Sequence, residues 1–355
     1  DAPSGPESRS TMQHVAIIGL GLIGGSMGLG LRRWSAANGG ALRVAGFDSD
    51  MSRQQQAQRL GAVDDAQWSM RRAVEQADLV VIATPVGAIQ EVFADIAPML
   101  KPGTVVTDTG STKADVLRWA DEALPTHVSF VGGHPMAGRS ESLEAAEADL
   151  FAGATWCVCP SVRASEEAVT TVLGMIAALG AESFFVDPTE HDAYVAGVSH
   201  LPFVLSAALM MTVARDPSWR DMRTLSASGF RDTTRLALGS PQMHRDILLT
   251  NREAIVRWTR QLTTTLTELQ DALNQPDHGA AADAVERFLT GARDARAEWA
   301  VQVSRASEQT PASADELSRE RVGEQMSRMF LGGLGRRRRL GHDGDESPKA
   351  RGGRR

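Results

Sequence analysis

Residues 14–34 read HVAIIGLGLIGGSMGLGLRRW, and few folds admit that order. A short apolar run ends in glycine, and the apolar residues after it recur at helical spacing, so a strand must turn abruptly into a helix. Gly19, Gly21 and Gly24 fall in the G-x-G-x-x-G pattern, with Leu22 and Ile23 between the last two. The first glycine makes the turn, the second lets a ligand reach the backbone, and the third lets helix and strand pack closely. The N–H groups at the start of the helix then face the ligand, and an anionic pyrophosphate suits them. Asp48 ends the next strand, LRVAGFD (42–48), 24 positions after Gly24, near the spacing expected of a carboxylate that receives ribose hydroxyls. Such a carboxylate repels a 2′-phosphate, so the expected cofactor is NAD rather than NADP; nearby Arg53 argues the other way. A purely structural glycine turn is the alternative.

The rest of the first half repeats the alternation. Further strands are expected in ADLVVIATP (77–85), GTVVTDTG (103–110), VSFVGGHP (128–135), TWCVCP (155–160) and ESFFVDP (182–188), separated by helical stretches. That alternation implies right-handed crossovers and a mainly parallel sheet of the Rossmann type. Thr84 and Pro85 end one such strand at its carboxyl edge, where cofactors bind. After residue 188 the pattern changes: β-branched runs disappear, and 189–215, 244–274 and 280–305 read as helices broken at DPSW, GSP and NQPDHG. The expected organisation is a leader over 1–12, an NAD-binding α/β domain over 13–188, an all-helical domain over 189–305 and a tail over 306–355. Helices so long and apolar pack against a second copy more readily than they face water, so a homodimer is expected.

Composition removes several function classes. No apolar run reads as long enough to span a bilayer, and the first residues have no hydrophobic core of the signal-peptide kind, so no membrane partner is expected. Cys157 and Cys159 are the only cysteines, two apart on an expected strand. They share a face and lack partners for a metal site, so no metal and a reducing, cytoplasmic location are expected. The net charge of −7 conceals a basic C-terminus, with eleven Lys/Arg against five Asp/Glu over 319–355. No aromatic residue lies in its basic part to stack on bases, so a solvated tail is expected rather than a nucleic-acid site.

One ionisable group stands in GGHPMAG (132–138), a segment expected to turn tightly, and that group is His134. A histidine there can take a proton near neutrality while glycines on either side let reactants approach. Together with ATPV, TDTGSTK, LFAGATW, VSHLPFVLSAAL and GFRDTTRLA…SPQMHRDILLTN, this loop makes the chain resemble the prephenate/arogenate dehydrogenase family of tyrosine biosynthesis, from about His14 to about Trp299. The resemblance implies a nucleotide-binding domain followed by a helical dimerisation domain, and NAD-dependent oxidative decarboxylation of prephenate or arogenate. It implies His134 as acceptor of the substrate hydroxyl proton and Ser111 as the group that orients either His134 or that same hydroxyl. Arg235 is implied as the ligand of a substrate carboxylate and His200 as a substrate contact. Arg231, Lys113 and, more weakly, His244 and Arg245 join the candidates around the pocket. Guanidinium forks suit carboxylates, although Asp232 is placed to pair with either arginine structurally. Lys113 is one of three lysines in an arginine-rich chain, which favours a use for its compact ammonium in supporting the active-site loop, with a surface role as the alternative. His200 equally suits a satisfied core position. The chain departs from the family where a Glu is common after the histidine loop, having Ser140 then Glu141, and where Leu143 replaces a usual Gly.

Two rivals stand against this reading. One is a β-hydroxyacid dehydrogenase or imine reductase on a similar two-domain plan; the former uses a lysine at the start of the helical domain, and no lysine lies between Lys113 and Lys349. A non-catalytic NAD-binding scaffold would not need His134, Ser111 and Arg235 together.

Overall fold

The structure, a computed structural model, describes residues 13–138 and 142–308. Eight strands form one sheet: β1 (His14–Ile18), β2 (Arg43–Phe47), β3 (Asp65–Ala66), β4 (Leu79–Ile82), β5 (Val105–Asp108), β6 (Ser129–Pro135), β7 (Thr155–Pro160) and β8 (Glu182–Phe185). Their order is β3-β2-β1-β4-β5-β6-β7-β8, and every pairing is parallel except β6 with β7. The order reverses between β1 and β4, which opens a crevice at the carboxyl ends of the strands. Alongside the sheet run α1 (Leu22–Ala37), α2 (Met51–Arg59), α3 (Met70–Val74), α4 (Val86–Ile96), α5 (Ala114–Ala123) and α6 (Glu166–Ala178). The central strand β4 is apolar throughout because both its faces are covered: all four of its residues are buried. The two-residue β3 is too short to have shown in the sequence.

The chain then becomes helical: α7 (Pro188–Val195), a π-helical turn at Ala196–His200, α8 (Leu201–Ala214), α9 (Trp219–Met222), α10 (Ser228–Thr234), α11 (Pro241–Thr250), α12 (Arg252–Leu273) and α13 (His278–Glu308). Asp187 starts this region, its carboxylate accepting the N–H groups of Thr189 and Glu190 with Pro188 at the first helical position. Phe203 of α8 and Ile247 of α11 join the apolar core of β4, β5 and α4, which includes Phe93 edge-on to Phe130 at 5.3 Å. This packing brings the helical segments that carry ionisable residues against the carboxyl edge of the sheet.

Three expectations need correction. The helix read over 244–274 is broken at Asn251 (φ −125°, ψ 34°), which ends α11 and precedes α12; its side chain is buried in polar contacts, described below, that a continuous helix would not reach. The continuous helical run Pro188–Ala214 is, by length and composition, apolar enough to cross a membrane, with mean hydropathy 1.6 over its most apolar window; the expectation overlooked it because polar residues interrupt the run. Helix α13 continues to Glu308, beyond the expected end at 305, and the tail from 309 lies outside the described residues, as do the leader and Ser140. By contact the chain forms two compact units, one through Ala281 and one from Ala282 that contains most of α13.

Candidate active site

The glycine turn has the geometry its sequence demands. Gly19 has φ +96°, and a Cβ there would lie 2.6 Å from the carbonyl oxygen of Ala83, so only glycine makes this turn beside β4. A Cβ on Gly24 would overlap the carbonyl of Gly19. At Gly21 nothing stands within 4 Å of that position, and no side chain caps α1 there. Open space over an uncapped helix N-terminus is the cradle a pyrophosphate fits. Leu22 is buried, so its offering to a ligand is its backbone N–H, and half-buried Ile23 faces Gly138 of the histidine loop. Asp48 is buried at the end of β2, its two carboxylate oxygens accepting Leu20 N–H (2.8 Å) and Asp50 N–H (2.9 Å). Arg53 is turned to Asp50 at 3.8 Å. The hydroxyl of Thr84 is buried without a partner beside Pro85, which caps α4. The residues present therefore fit a dinucleotide.

His134 does not lie in a turn. It belongs to β6, opposite Cys157 of β7, and the expected irregular segment begins only after Pro135. The glycines before it serve close packing: a Cβ on Gly133 would stand 2.6 Å from the carbonyl of Asp108. Both cysteines are free and buried on β7, and burial raises the Cys157 thiol to about 11. Burial also pushes His134 well below the ordinary histidine range, helped by the nearby His191, Lys113 and His200, so its imidazole is neutral at working pH.

What holds His134 was not legible beforehand. Its Nδ1 is 2.9 Å from Nε2 of His191, and Nδ1 of His191 is 2.8 Å from Oδ1 of Asp192. Asp192 also accepts the N–H of Lys113 (2.7 Å) and of Ala114 (2.9 Å) at the start of α5. Its own carbonyl accepts Nδ2 of Asn251 at 2.7 Å. A carbonyl only accepts, so this bond orients the Asn251 amide, and the same nitrogen donates to Nδ1 of His200 at 3.3 Å. His200 must then carry its proton on Nε2, an atom buried without a partner. Burial, partly offset by Asp192, holds His200 neutral at about 4. An unpartnered buried N–H awaits an acceptor.

Lys113, expected among the substrate ligands, is turned inward. Its ammonium pairs with Asp108, both side chains fully buried, and donates to the carbonyl of Gly133 at 2.7 Å. Ser111 is half-buried, and no hydrogen bond joins it to His134 among the described residues; the ring binds His191 instead. His244 stacks on Phe203 (4.1 Å, 3°), which lies 6.0 Å from His200, so it stands at one remove from the site. Arg245 is paired with Asp246. Arg231 lies in α10 and Arg235 opens the turn after it, both exposed and without ion pairs among the described residues, so Asp232 does not hold either. That turn rests on α8 through Ala237 N–H to the Ser206 hydroxyl (3.0 Å). Leu143 is buried against Gly25 of α1. No cluster of His, Cys, Asp and Glu suited to a metal occurs among the described residues.

Residues 28–185 match the family profile "Prephenate dehydrogenase, nucleotide-binding domain", and residues 187–287 match "Prephenate dehydrogenase, dimerization domain". The chain belongs to the prephenate dehydrogenase family. It is 35% identical over 269 residues to the prephenate dehydrogenase of Bacillus subtilis, covering 73% of this chain and 71% of the relative. It is 31% identical to the cyclohexadienyl dehydrogenase of Zymomonas mobilis, over 76% of this chain and 91% of that one. Among solved structures it resembles a prephenate dehydrogenase from A. aeolicus in complex with hydroxyphenyl propionate and NAD+, with TM-score 0.74, 27% identity and coverage of 82% and 99%. It also resembles the arogenate dehydrogenase of Synechocystis, with TM-score 0.67, 26% identity and coverage of 81% and 99%. Like those proteins, this prephenate dehydrogenase family member joins a parallel-dominated sheet to a helical region.

Proposed function

We propose that the chain converts prephenate to 4-hydroxyphenylpyruvate with NAD, His134 accepting the proton of the ring hydroxyl. Family membership makes it an NAD-dependent dehydrogenase of tyrosine biosynthesis; the residue roles are our reading. The observation that carries it is the neutral, nearly buried imidazole of His134 at the carboxyl edge of β6, in the same sheet whose reversal between β1 and β4 makes the dinucleotide crevice. When bound, NAD supplies the hydride acceptor. As His134 removes the hydroxyl proton, hydride leaves the same carbon and a carbonyl develops there. The bond to the ring carboxylate then breaks, its electron pair enters the ring, carbon dioxide departs, the ring becomes aromatic, and the carbonyl oxygen takes back the proton held by His134.

Around that centre, Arg235, with Arg231, offers exposed guanidinium forks, without ion pairs among the described residues, for substrate carboxylates. His200 offers its Nε2–H to a substrate oxygen. Prephenate is favoured over arogenate because Ser140 stands where the family commonly has Glu, leaving no carboxylate there to hold an ammonium. The helical region carries a dimerization domain by its family profile, and exposed apolar residues such as Val198, Leu205 and Met211 along the Pro188–Ala214 run suit a homodimer. Two unpaired thiols suit the cytoplasm. The test is turnover with prephenate and arogenate, each with NAD and NADP, for wild type and His134→Asn. The variant should lose about 10²- to 10⁴-fold in kcat with NAD affinity retained. Wild-type turnover in the variant would remove His134 from the mechanism.

A further inference from the structure

We propose that His191 and Asp192 form a relay that fixes the tautomer of His134, acting on the reaction as positioning residues without touching the substrate. The proposal rests on His134 being the base, and asks what keeps its lone pair on the right nitrogen. A neutral imidazole has one N–H and one bare nitrogen, and the partner of one nitrogen decides the state of the other. Only Nε2 of His134 is free to meet a substrate, because Nδ1 is taken by His191 at 2.9 Å.

The direction of that bond follows from Asp192. Its Oδ1 accepts Lys113 N–H and its Oδ2 accepts Ala114 N–H, so the carboxylate is an acceptor on both oxygens, and the third contact, from Nδ1 of His191 at 2.8 Å, is also a donation to it. Nδ1 of His191 thus carries a proton, and on a ring that holds that proton alone Nε2 is bare. A single proton lies between Nε2 of His191 and Nδ1 of His134, and it must come from His134. Nε2 of His134 is left with the lone pair a general base needs. The ring centroids are 5.1 Å apart with planes twisted by 69°. With the two nitrogens only 2.9 Å apart, these lie near the line of centres, which suits an in-plane N–H pointing at an in-plane lone pair.

The same line serves the charged state. When the hydroxyl proton arrives at Nε2, the positive charge on His134 is drawn through His191 toward the Asp192 carboxylate. The other groups around His134 give little help: Lys113 is cationic and already paired with Asp108, His200 is neutral, and Cys157 across the strand stays a thiol. His191 is 1% exposed and Asp192 5%, so water does not replace either contact. The arrangement is the acid–imidazole logic of hydrolytic triads with a second imidazole inserted, and there an incorrect tautomer costs about 10⁴ in turnover with geometry intact.

Two measurements test the relay. The first is ¹⁵N NMR of the full chain labelled at its histidine rings, with NAD bound; His134→Asn and His191→Gln assign the two signals. The expected result is His134 protonated at Nδ1 and bare at Nε2. His134 protonated at Nε2, with His191 doubly protonated, overturns the proposal without any appeal to activity. The second is a pair of variants of similar size. His191→Leu removes the acceptor and should lower kcat by roughly 10- to 1,000-fold with the KM for NAD unchanged. His191→Gln presents a carbonyl that can accept from Nδ1 and should recover at least about tenfold over Leu. A purely packing role predicts no advantage for Gln, and equal turnover of the two refutes the relay. If the Leu variant does not fold, the wild-type tautomer decides alone. His134→Asn with wild-type turnover would strike down the base itself, a separate outcome that leaves the tautomer signal of the wild type in place.

Discussion

Replacing Lys113 by Met removes one charge from a buried pair and leaves a stem of nearly the same shape. In the wild type both side chains have no exposed surface. Asp108 receives, besides the ammonium, the N–H of Gly110 (2.8 Å) and of Gly133 (3.1 Å), while Lys113 also reaches the carbonyl of Gly133. The pair thus ties the loop after β5 to the residue that precedes His134. Without the ammonium, the carboxylate keeps two neutral donors and no cation, and breaking such a pair from one side costs about 3–5 kcal/mol. At roughly 2–4 °C per kcal/mol for a domain of this size, the melting temperature should fall by about 6–20 °C. Adding Asp108→Asn removes the stranded charge, so the double variant should be less damaged than the sum of the singles by about 1–3 kcal/mol. The assay is thermal unfolding followed by circular dichroism at one protein concentration and without NAD, because self-association and ligand both move the midpoint. A fall of less than about 2 °C, or additive single variants, would mean that water reaches the pair and that the anchor lies elsewhere.

Three further outcomes are expected. Asp48→Ser should lower the NAD-over-NADP ratio in kcat/KM by about tenfold or more, since the carboxylate that repels a 2′-phosphate is gone; a wild type equally efficient with both cofactors would contradict this. Arg235→Ala should reduce kcat/KM by roughly 10- to 1,000-fold, equally for prephenate and arogenate, with Lys restoring only part; impairment with one substrate alone would assign Arg235 to the side chain that differs between them. His200 is held at about 4 in the folded chain against an unfolded value of about 6.5. The unfolded chain therefore binds the extra proton first as pH falls, so stability complete above about pH 6.5 declines toward pH 4 by about 3 kcal/mol from this group. Unfolding midpoints across that range should fall more steeply for wild type than for His200→Gln, and parallel slopes would refute the assignment.

Much of this chain could be read from its letters because the controlling interactions are local. Gly19, Gly21, Gly24 and Asp48 act within one strand–helix–strand unit, and their spacing alone carries the shape of the dinucleotide crevice. Seven of the eight strands fall in the short, largely apolar runs that the sequence shows, and burial on both faces leaves that mark most clearly on central strands such as β1 and β4. His134 and the helical second half were visible for similar reasons. The sequence could not reveal what surrounds His134, since His191 and Asp192 lie 57 and 58 positions away on a helix where a His-Asp pair looks like an ordinary polar step. Asn251, farther still, reads as an unremarkable residue inside a helical pattern until the break there turns its amide onto Asp192 and His200. The rarity of Lys113 points to support of the active-site loop, which its buried contacts with Asp108 and Gly133 provide, whereas its place among the substrate ligands fails because the sequence does not show Asp108 drawing it inward. Spacing records neighbours along the chain, whereas the tautomer of a histidine is set by whichever acceptor the fold brings within 3 Å, and only the packing of α7 and Asn251 against the edge of the sheet decided that.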